Sequence, residues 1–208
     1  PVNHVGNWIS QFGIELDVRK PYQGDIVPEQ LPDNIHGLIV MGGAMGANDD
    51  SDYSWLSTTR QLLSDAAKAD LPTVGICLGA QVLATAIGGS VTRADVIEIG
   101  PVEFLVDPHA ATDDPLFSRY AGETVVAAQW HQDWIATLPD HAKVLAGNAD
   151  CPVQVFRVGD NVYGVQFHPE IDAATFKEWA SDGNDEAGQR SGRSMDEPIR
   201  AMIEREDE

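Results

Sequence analysis

The stretch that decides the fold is Leu71-Pro-Thr-Val-Gly-Ile-Cys77-Leu-Gly-Ala-Gln81. An apolar run of the strand type leads into a Gly-x-Cys-x-Gly turn, and the helix-like stretch Leu78–Ile87 follows directly. A turn this tight holds its central residue, Cys77, in a strained backbone conformation, and the glycines at 75 and 79 remove the Cβ atoms that would clash around it. The pattern therefore predicts a strand-to-helix turn that presents the side chain of Cys77.

The position of Cys77 has two chemical consequences. Its thiol lies at a helix N-terminus, where the positive end of the helix dipole stabilises a thiolate. The backbone N–H of Leu78 lies near the sulfur and can bind a developing oxyanion. A lone buried cysteine is more often a small core residue than a nucleophile, but the two glycines and the strand-to-helix setting favour a nucleophile here.

Along the rest of the chain, short apolar runs alternate with helix-like stretches. The predicted strands are Ile14–Arg19, Gly37–Met41, Pro72–Ile76, Glu103–Val106, Thr124–Ala128, Lys143–Gly147, Gln154–Val158 and Asn161–Gln166. The predicted helices are His4–Phe12, Tyr53–Ala69, Leu78–Ile87, Ala173–Ala180 and Pro198–Glu206. Strands that alternate with helices favour a parallel sheet, and the closely spaced later strands favour an antiparallel flap with a hairpin turn at Gly159-Asp-Asn161. We therefore predict a three-layer α/β fold, with a mostly parallel central sheet, helices on both faces and a small antiparallel flap.

A cysteine nucleophile needs a base, and the base needs a group that orients it. Among the six histidines, His168 ends an apolar strand that Pro169 stops, so that His168 and Glu170 can project the same way. A carboxylate there can accept the imidazole N–H and select the tautomer that faces the thiol. By itself, His-Pro-Glu is more simply a strand-end histidine beside a solvated glutamate, and its combination with the cysteine turn is what favours catalysis. No third ligand follows at a suitable spacing, so we expect no metal and no cofactor.

Four segments together resemble the class I (triad) glutamine amidotransferase family. They are, in order, Met41-Gly-Gly43-Ala-Met-Gly46, Gly75-Ile-Cys77-Leu-Gly79-Ala-Gln81, Gln129-Trp-His131-Gln-Asp133 and Gln166-Phe-His168-Pro-Glu170. The first looks like the family's oxyanion loop, the second like its nucleophile turn, the third like its His-x-Asp segment beside the glutamine pocket, and the fourth like its base and orienting residue. The resemblance implies the flavodoxin-like fold of that family.

The resemblance also implies roles by position. Cys77 would be the nucleophile, His168 the base and Glu170 the residue that orients the base. The oxyanion would be bound by two backbone N–H groups, those of Gly43 and Leu78. The substrate pocket would be lined by Gln81, Trp130, His131, Gln132 and Asp133. For His131 and Asp133, a structural role as a buried histidine satisfied by a nearby carboxylate is equally open.

The reaction that the resemblance implies is hydrolysis of the side-chain amide of glutamine. The Cys77 thiolate would attack the amide carbon, His168 would protonate the departing ammonia, and water would release glutamate from the thioester. The sequence shows no synthetase or acceptor domain, so the chain would pass ammonia to a separate partner, like the glutaminase part of GMP synthetase. Two alternatives stay open. One is a γ-glutamyl peptidase or hydrolase that uses the same three residues, and the other is a catalytically silent binding or regulatory protein on this fold.

Composition limits the classes of partner and location. The chain has 33 acidic and 13 basic residues and a net charge of −20, which argues against nucleic acid or an anionic membrane as a partner. A solvated acidic surface explains this charge most simply, and a salt-adapted source is the alternative. No apolar run is long enough to span a membrane, the N-terminus lacks the features of a secretory signal, and two cysteines are too few for a disulfide framework. We therefore expect a cytoplasmic protein.

We expect one amidotransferase domain over residues 1–180. The stretch Ser181–Ser194 is polar and rich in Gly, Ser, Asp, Asn and Arg, which predicts a mobile connection to a last amphipathic helix within residues 181–208. The chain departs from the family's pattern at three places, one of which is the tail after Ile171, which has no recognised counterpart in the family. It starts at Pro1 without the apolar first strand of most members, so either upstream residues are missing or the sheet has lost an edge strand. Its glycine loop also lacks the proline that many members carry after the paired glycines.

Overall fold

The computed structural model describes residues 3–181, 192 and 194–206. The helices in this part of the chain are α1 (Asn3–Gln11), α2 (Trp55–Lys68), α3 (Leu78–Ala86), α4 (Ala173–Ser181) and α5 (Asp196–Glu206). The strands are β1 (Leu38–Val40), β2 (Thr73–Ile76), β3 (Ser90–Val106), β4 (Thr124–Thr137), β5 (Ala142–Gly147), β6 (Val155–Val158) and β7 (Val162–Val165). The predicted helices are confirmed close to their predicted bounds.

The strands form one mixed sheet in the order β1-β2-β7-β6-β5-β3-β4. β1, β2 and β7 run parallel to one another, and each of the remaining neighbours pairs antiparallel. The α/β class with a parallel core is confirmed. The antiparallel part is larger than the small flap that the sequence predicts, because β3 and β4 continue as long paired strands of 17 and 14 residues.

Apolar clusters cover both faces of the sheet. Successive side chains of a strand point to opposite faces, so Phe156 of β6 lies in one cluster with Leu83 of α3, and its neighbour Val155 lies in another with Phe104 of β3. A third cluster, which contains Phe176, joins α4 and α5 to the β3–β4 hairpin. The first cluster holds α3 between the sheet and α2, and this fixes the start of α3 beside β2.

The segment Ile14–Arg19 is not the strand that the sequence predicts. It forms no ladder, and its apolar side chains are exposed, with Ile14 at 57% and Val18 at 44%. A strand needs a neighbour that exchanges backbone hydrogen bonds with it. Among the described residues none pairs with this segment, and β1 forms that edge of the sheet. The alternation of apolar residues is typical of a strand with one buried face, but it does not show whether a neighbouring strand is present to pair with the segment.

Two other predicted strands prove to be the apolar ends of longer ones. Glu103–Val106 belongs to β3 and Thr124–Ala128 to β4, whose remaining parts carry polar residues that interrupt the apolar alternation. The predicted hairpin at Gly159 is confirmed, since β6 and β7 pair antiparallel on either side of it.

The last helix, α5, packs against α4 and β3 and buries Met202. The predicted connection Ser181–Ser194 lies mostly outside the described residues. None of the helices in the described part of the chain combines the length and the apolar character that a bilayer crossing requires.

Candidate active site

Cys77 lies at the junction of β2 and α3, in the strand-to-helix turn that the sequence predicts. Its backbone has φ 50° and ψ −108°, a strained conformation for a residue with a side chain. Its N–H donates to the carbonyl oxygen of Val165 over 2.8 Å, which ties the turn to β7. A Cβ atom on Gly79 would overlap the carbonyl of Val40, and one on Gly75 would lie 2.5 Å from the carbonyl oxygen of Gly79. The two glycines therefore permit the close backbone approach that the turn requires.

His168 and Glu170 follow β7 and reach the same cleft. The N–H of His168 donates to the carbonyl oxygen of Ala128 over 2.8 Å, so that β4 holds the residue in place. Its Nδ1 lies 2.9 Å from Glu170 Oε1, and both side chains are buried. Because an ionised carboxylate only accepts, Nδ1 carries the proton in this contact, and Nε2 is left to face the sulfur. The structure thus brings the two residues together as the sequence predicts.

Cys77 and His168 interact directly. Burial acts to lower the pKa of the His168 imidazole, but the charge of Cys77, a hydrogen bond with its sulfur and the contact with Glu170 outweigh burial and raise this pKa to about 10. These contacts favour the protonated form of the imidazole. An imidazolium beside the sulfur can stabilise negative charge there and can later give up a proton.

The glycine loop after β1 lies against these side chains. A Cβ atom on Gly42 would lie 2.9 Å from His168 Cε1 and 3.5 Å from Cys77 Cβ, so no larger residue fits without displacing the imidazole. A Cβ atom on Gly43 would lie 2.9 Å from Leu78 Cδ2, so the glycine loop also packs against the first residue of α3. Sequence reasoning assigned Gly42 no role, although the paired glycines after an apolar strand were a usable signal.

Gln81 lies in the first turns of α3 and is buried. Its Nε2 donates to the carbonyl oxygen of Asp133 over 2.9 Å and to Gln166 Oε1 over 3.2 Å. The amide nitrogen is thus committed to internal hydrogen bonds. Through these hydrogen bonds Gln81 joins α3 to β4 and to Gln166.

The predicted pocket residues on β4 take different positions. The carbonyl oxygen of Trp130 lies 3.9 Å from Cys77 Sγ, so the backbone of β4 reaches the sulfur. The carboxylate of Asp133 lies 3.5 Å from the exposed Arg93, and the half-buried Gln132 lies next to it in the chain. His131 Nδ1 lies 3.0 Å from the carbonyl oxygen of Asp133. The backbone of this segment, more than its side chains, faces the nucleophile.

Glu98 is a site residue that sequence reasoning missed. It lies opposite His131 in the β3–β4 register, and its Oε2 is 2.8 Å from His131 Nε2. The side-chain amides of Asn148 and Gln154 also donate to it, each over 2.7 Å. Burial acts to raise the pKa of Glu98, but the hydrogen bonds that it accepts outweigh burial and hold the pKa below its usual value. The signal in the sequence was a charged residue inside an apolar run, Val96-Ile-Glu98-Ile99. Glu98 is thus a buried carboxylate that satisfies His131.

Glu98, His131 and Cys151 place three potential metal ligand atoms within 4.8 Å of one another. Their chemistry does not fit a metal centre. Both carboxylate oxygens of Glu98 already accept hydrogen bonds, and both ring nitrogens of His131 are engaged. Burial raises the pKa of the Cys151 thiol to about 12, which opposes formation of the thiolate that a metal would need. This cluster is a buried hydrogen-bond network.

Aromatic side chains of α4 lie against the base. The ring of Trp179 is 5.0 Å from that of His168, with an angle of 78° between the planes. Phe176 lies 4.7 Å from the ring of Trp130 in a similar edge contact. Edge-to-face contacts contribute about 0.5–1.5 kcal/mol beyond the area that they bury. They therefore help to fix both the imidazole and the β4 segment beside the nucleophile.

A match to a family model identifies the class of protein to which the chain belongs. The family model of glutamine amidotransferase class-I matches residues 5–182. The chain therefore belongs to the class-I glutamine amidotransferase family, whose members are generally enzymes, and the resemblance drawn from the four sequence segments is confirmed.

Particular relatives agree with this class. YfeJ of Salmonella typhimurium, a glutamine amidotransferase-like protein, is 29% identical over 167 residues, which cover 79% of this chain and 68% of that protein. A glutamine-hydrolyzing GMP synthase subunit of Methanobrevibacter smithii is 33% identical over 138 residues, covering 65% of this chain and 64% of that subunit. Two further glutamine-hydrolyzing GMP synthases, from Lachnospira eligens and Alkaliphilus metalliredigens, match this chain over only 24% and 25% of their own length.

Solved structures confirm the fold. The crystal structure of a glutamine amidotransferase from Thermotoga maritima aligns with a TM-score of 0.80 at 26% identity, and the alignment covers 98% of this chain and 84% of that one. The match extends over both the parallel and the antiparallel parts of the sheet.

Proposed function

We propose that this chain is a glutaminase, which hydrolyses the side-chain amide of glutamine through a thioester on Cys77 and yields glutamate and ammonia. One observation carries the proposal: Cys77, His168 and Glu170 form a buried row, in which His168 interacts with the sulfur on one side and lies 2.9 Å from Glu170 on the other. Membership of the class-I amidotransferase family supports the same reaction.

The nucleophile is the Cys77 thiolate. The first turn of α3 directs its free N–H groups and the positive end of its dipole towards the sulfur, and both favour negative charge there. The His168 imidazolium, held by Glu170, adds a positive charge on the opposite side. Both groups therefore stabilise the sulfur in the charged form that attacks the amide carbon.

In the first half-reaction, Sγ forms a bond to the side-chain amide carbon of glutamine, and the carbonyl electron pair moves onto the oxygen. The backbone N–H groups of Gly43 and Leu78 bind the resulting oxyanion. The oxyanion then collapses, the C–N bond breaks, and the nitrogen takes the Nε2 proton of His168 and leaves as ammonia. The product on the enzyme is a γ-glutamyl thioester.

In the second half-reaction, the neutral His168 imidazole accepts a proton from water at Nε2. The water oxygen attacks the thioester carbon, a second oxyanion forms against the same N–H groups, and the C–S bond breaks. The sulfur leaves as the thiolate, glutamate departs, and His168 is again protonated. Glu170 accepts the Nδ1–H bond throughout and keeps the ring in the orientation that serves both steps.

The substrate is a small molecule that carries a γ-glutamyl group. We propose that the β4 backbone from Trp130 to Asp133 lines its pocket, supported from behind by Gln81 and by the Glu98–His131 pair. The contact of Trp130 with the sulfur places this segment beside the reacting amide.

We also propose that the ammonia goes to a separate acceptor or synthetase subunit in the cytoplasm. Support comes from the similarity to the Methanobrevibacter smithii protein, which is by name one subunit of a GMP synthase. The partial match to longer GMP synthases points the same way. A free catalytic thiol also suits a reducing compartment.

The second candidate is hydrolysis of larger γ-glutamyl compounds by the same three residues. It is favoured by an open depression of about 700 Å³ on α4, lined by Lys177, Glu178 and Trp179 among others. Trp179, one of the residues that line this depression, also contacts the ring of His168. A group attached beyond the scissile amide could occupy it.

A substrate screen tests both candidates. Glutamine, γ-glutamyl dipeptides and other γ-glutamyl amides are incubated with the protein, and the release of ammonia or amine and of glutamate is measured. Hydroxylamine is added to trap the thioester as a γ-glutamyl hydroxamate. We expect turnover of glutamine that Cys77→Ala abolishes without loss of the fold. Turnover of the dipeptides alone would favour the second candidate, and full activity of Cys77→Ala would remove the thioester mechanism.

A further inference from the structure

Gln166 has a buried contact with the nucleophile that the proposed mechanism does not use. It follows β7, two positions before His168, and its side chain is fully buried. Its backbone N–H donates to the carbonyl oxygen of Gln154 over 2.9 Å, which fixes its position against the neighbouring strand. Its side-chain Nε2 lies 3.7 Å from Cys77 Sγ, a hydrogen-bond distance for a sulfur acceptor.

The orientation of the Gln166 amide is determined by Gln81. The Nε2 of Gln81 can only donate, and it lies 3.2 Å from Gln166 Oε1, so that oxygen is the acceptor end. The amino end of Gln166 then faces the sulfur. Gln81 is itself held by the carbonyl oxygen of Asp133 over 2.9 Å, so the orientation depends on α3 and β4 together.

In the described part of the chain, Trp130 and Gln166 both form a hydrogen bond with the sulfur, and these two bonds favour opposite charge states. The Trp130 carbonyl oxygen at 3.9 Å can only accept, so it pairs with the neutral S–H group. The Gln166 amide can only donate, so it pairs with the ionised sulfur, and a donor to the charged form stabilises that form.

The titratable groups around the sulfur do not replace this donor. His168 lies beside the sulfur with Glu170 behind it, and Cys151, from the loop before β6, interacts with the sulfur electrostatically. His168 gives its proton to the departing ammonia in the first half-reaction, whereas the amide of Gln166 keeps its protons through the whole cycle.

We propose that Gln166 is a further catalytic residue, whose amide holds the Cys77 sulfur in place and stabilises its thiolate, and that Gln81 is a positioning residue that orients this amide. The proposal rests on the proposed role of Cys77 as the nucleophile. The thiolate that leaves the thioester when glutamate is released is stabilised by the same amide.

The test is the pH dependence of alkylation of Cys77 by iodoacetamide, followed by mass spectrometry on the full chain. Gln166→Leu removes the donor while it keeps a buried side chain of similar size. Its alkylation midpoint is expected to rise by about one pH unit, and its rate to fall about tenfold at pH values below both midpoints. The matched control is Gln129→Leu, since Gln129 is equally buried but donates to Gln154 rather than to the sulfur. Its profile is expected to stay at the wild-type midpoint.

A second variant covers the case in which Gln166→Leu fails to fold. Gln166→Glu keeps the size and the acceptor for Gln81 but replaces the donor by a carboxylate, so its midpoint is expected to rise further. Folding of each variant is checked by near-ultraviolet circular dichroism. Unchanged midpoints in the folded Gln166 variants, or an equal rise in Gln129→Leu, would overturn the proposal. Because alkylation needs no substrate, a shifted midpoint in a protein that hydrolyses no γ-glutamyl compound would confirm that the Gln166 amide stabilises the thiolate, but it would remove the proposed function and with it the catalytic role of Gln166.

Discussion

Glu98 Oε2 and His131 Nε2 lie 2.8 Å apart, on residues that face each other directly in the β3–β4 register. His131 Nδ1 lies 3.0 Å from the carbonyl oxygen of Asp133, so this imidazole joins a buried carboxylate to the backbone of the pocket wall. Asp133 in turn accepts from Gln81. A path of hydrogen bonds therefore runs from the interior of the β3–β4 hairpin to α3, the helix that begins directly after Cys77.

Removal of the Glu98 carboxylate tests how much this buried pair contributes. Breaking a buried pair on one side leaves an unpaired polar group, which costs about 3–5 kcal/mol, and we expect a loss of that order in the free energy of unfolding of Glu98→Ala, measured in urea. The control is Arg93→Ala, which breaks the exposed pair with Asp133 and should cost less than about 1 kcal/mol. Equal costs for the two variants would show that the buried pair is not a structural anchor.

The proton of His168 should persist to alkaline pH. Its pKa is raised from 6.5 to about 10, so the stability that it contributes is fully present below pH 6.5 and is lost as the pH rises through about 10. The titration can be followed by the Cε1–H resonance in proton NMR. In Cys77→Ala the charge of the sulfur is gone, and we expect the titration to move to a lower pH. A wild-type midpoint near 6.5 would contradict the sulfur–imidazole contact.

The two cysteines should differ in reactivity. Both are buried and free, but burial raises the pKa of Cys151 to about 12, whereas Cys77 faces an imidazolium and a helix N-terminus. We expect iodoacetamide to modify Cys77 much faster than Cys151 in the folded protein, as read by peptide mass spectrometry. In urea the two rates should converge, which serves as the control. Equal rates in the folded state would argue against an activated thiolate.

Gly42 should be sensitive to the smallest possible enlargement. A Cβ atom there would lie 2.9 Å from His168 Cε1, so Gly42→Ala displaces the imidazole by a fraction of an ångström or more. Misplacement of about 1 Å can cost about a hundredfold in rate, and we expect kcat for glutamine to fall by up to this factor. Because Gly42 is exposed, the midpoint of thermal unfolding should change little. A wild-type kcat in a folded Gly42→Ala variant would show that the glycine loop shifts to accommodate the methyl group and that this loop does not constrain His168.

Several parts of the fold could be predicted because their signals are local. The turn at Cys77 is specified by the glycines two positions on either side, and His168 and Glu170 are neighbours in the chain as well as in space. The strand predicted at Ile14–Arg19 failed for the opposite reason, since a strand depends on a partner that its own alternation cannot provide. β3 and β4 were predicted only at their apolar ends, because their polar residues face partners that the pattern does not show.

The sequence by itself determined the family, the helices, the strained cysteine turn and the pairing of His168 with Glu170. Each of these features is specified by short segments whose residues lie within a few positions of one another. Only the tertiary structure decided that Glu98 meets His131, that the Gln81 amide reaches Gln166, and that the Gln166 amide reaches the sulfur. These contacts join residues 33, 85 and 89 positions apart. They depend on strand register and on the packing of α3 against the sheet, and a shift of one residue in either would send the same side chains elsewhere.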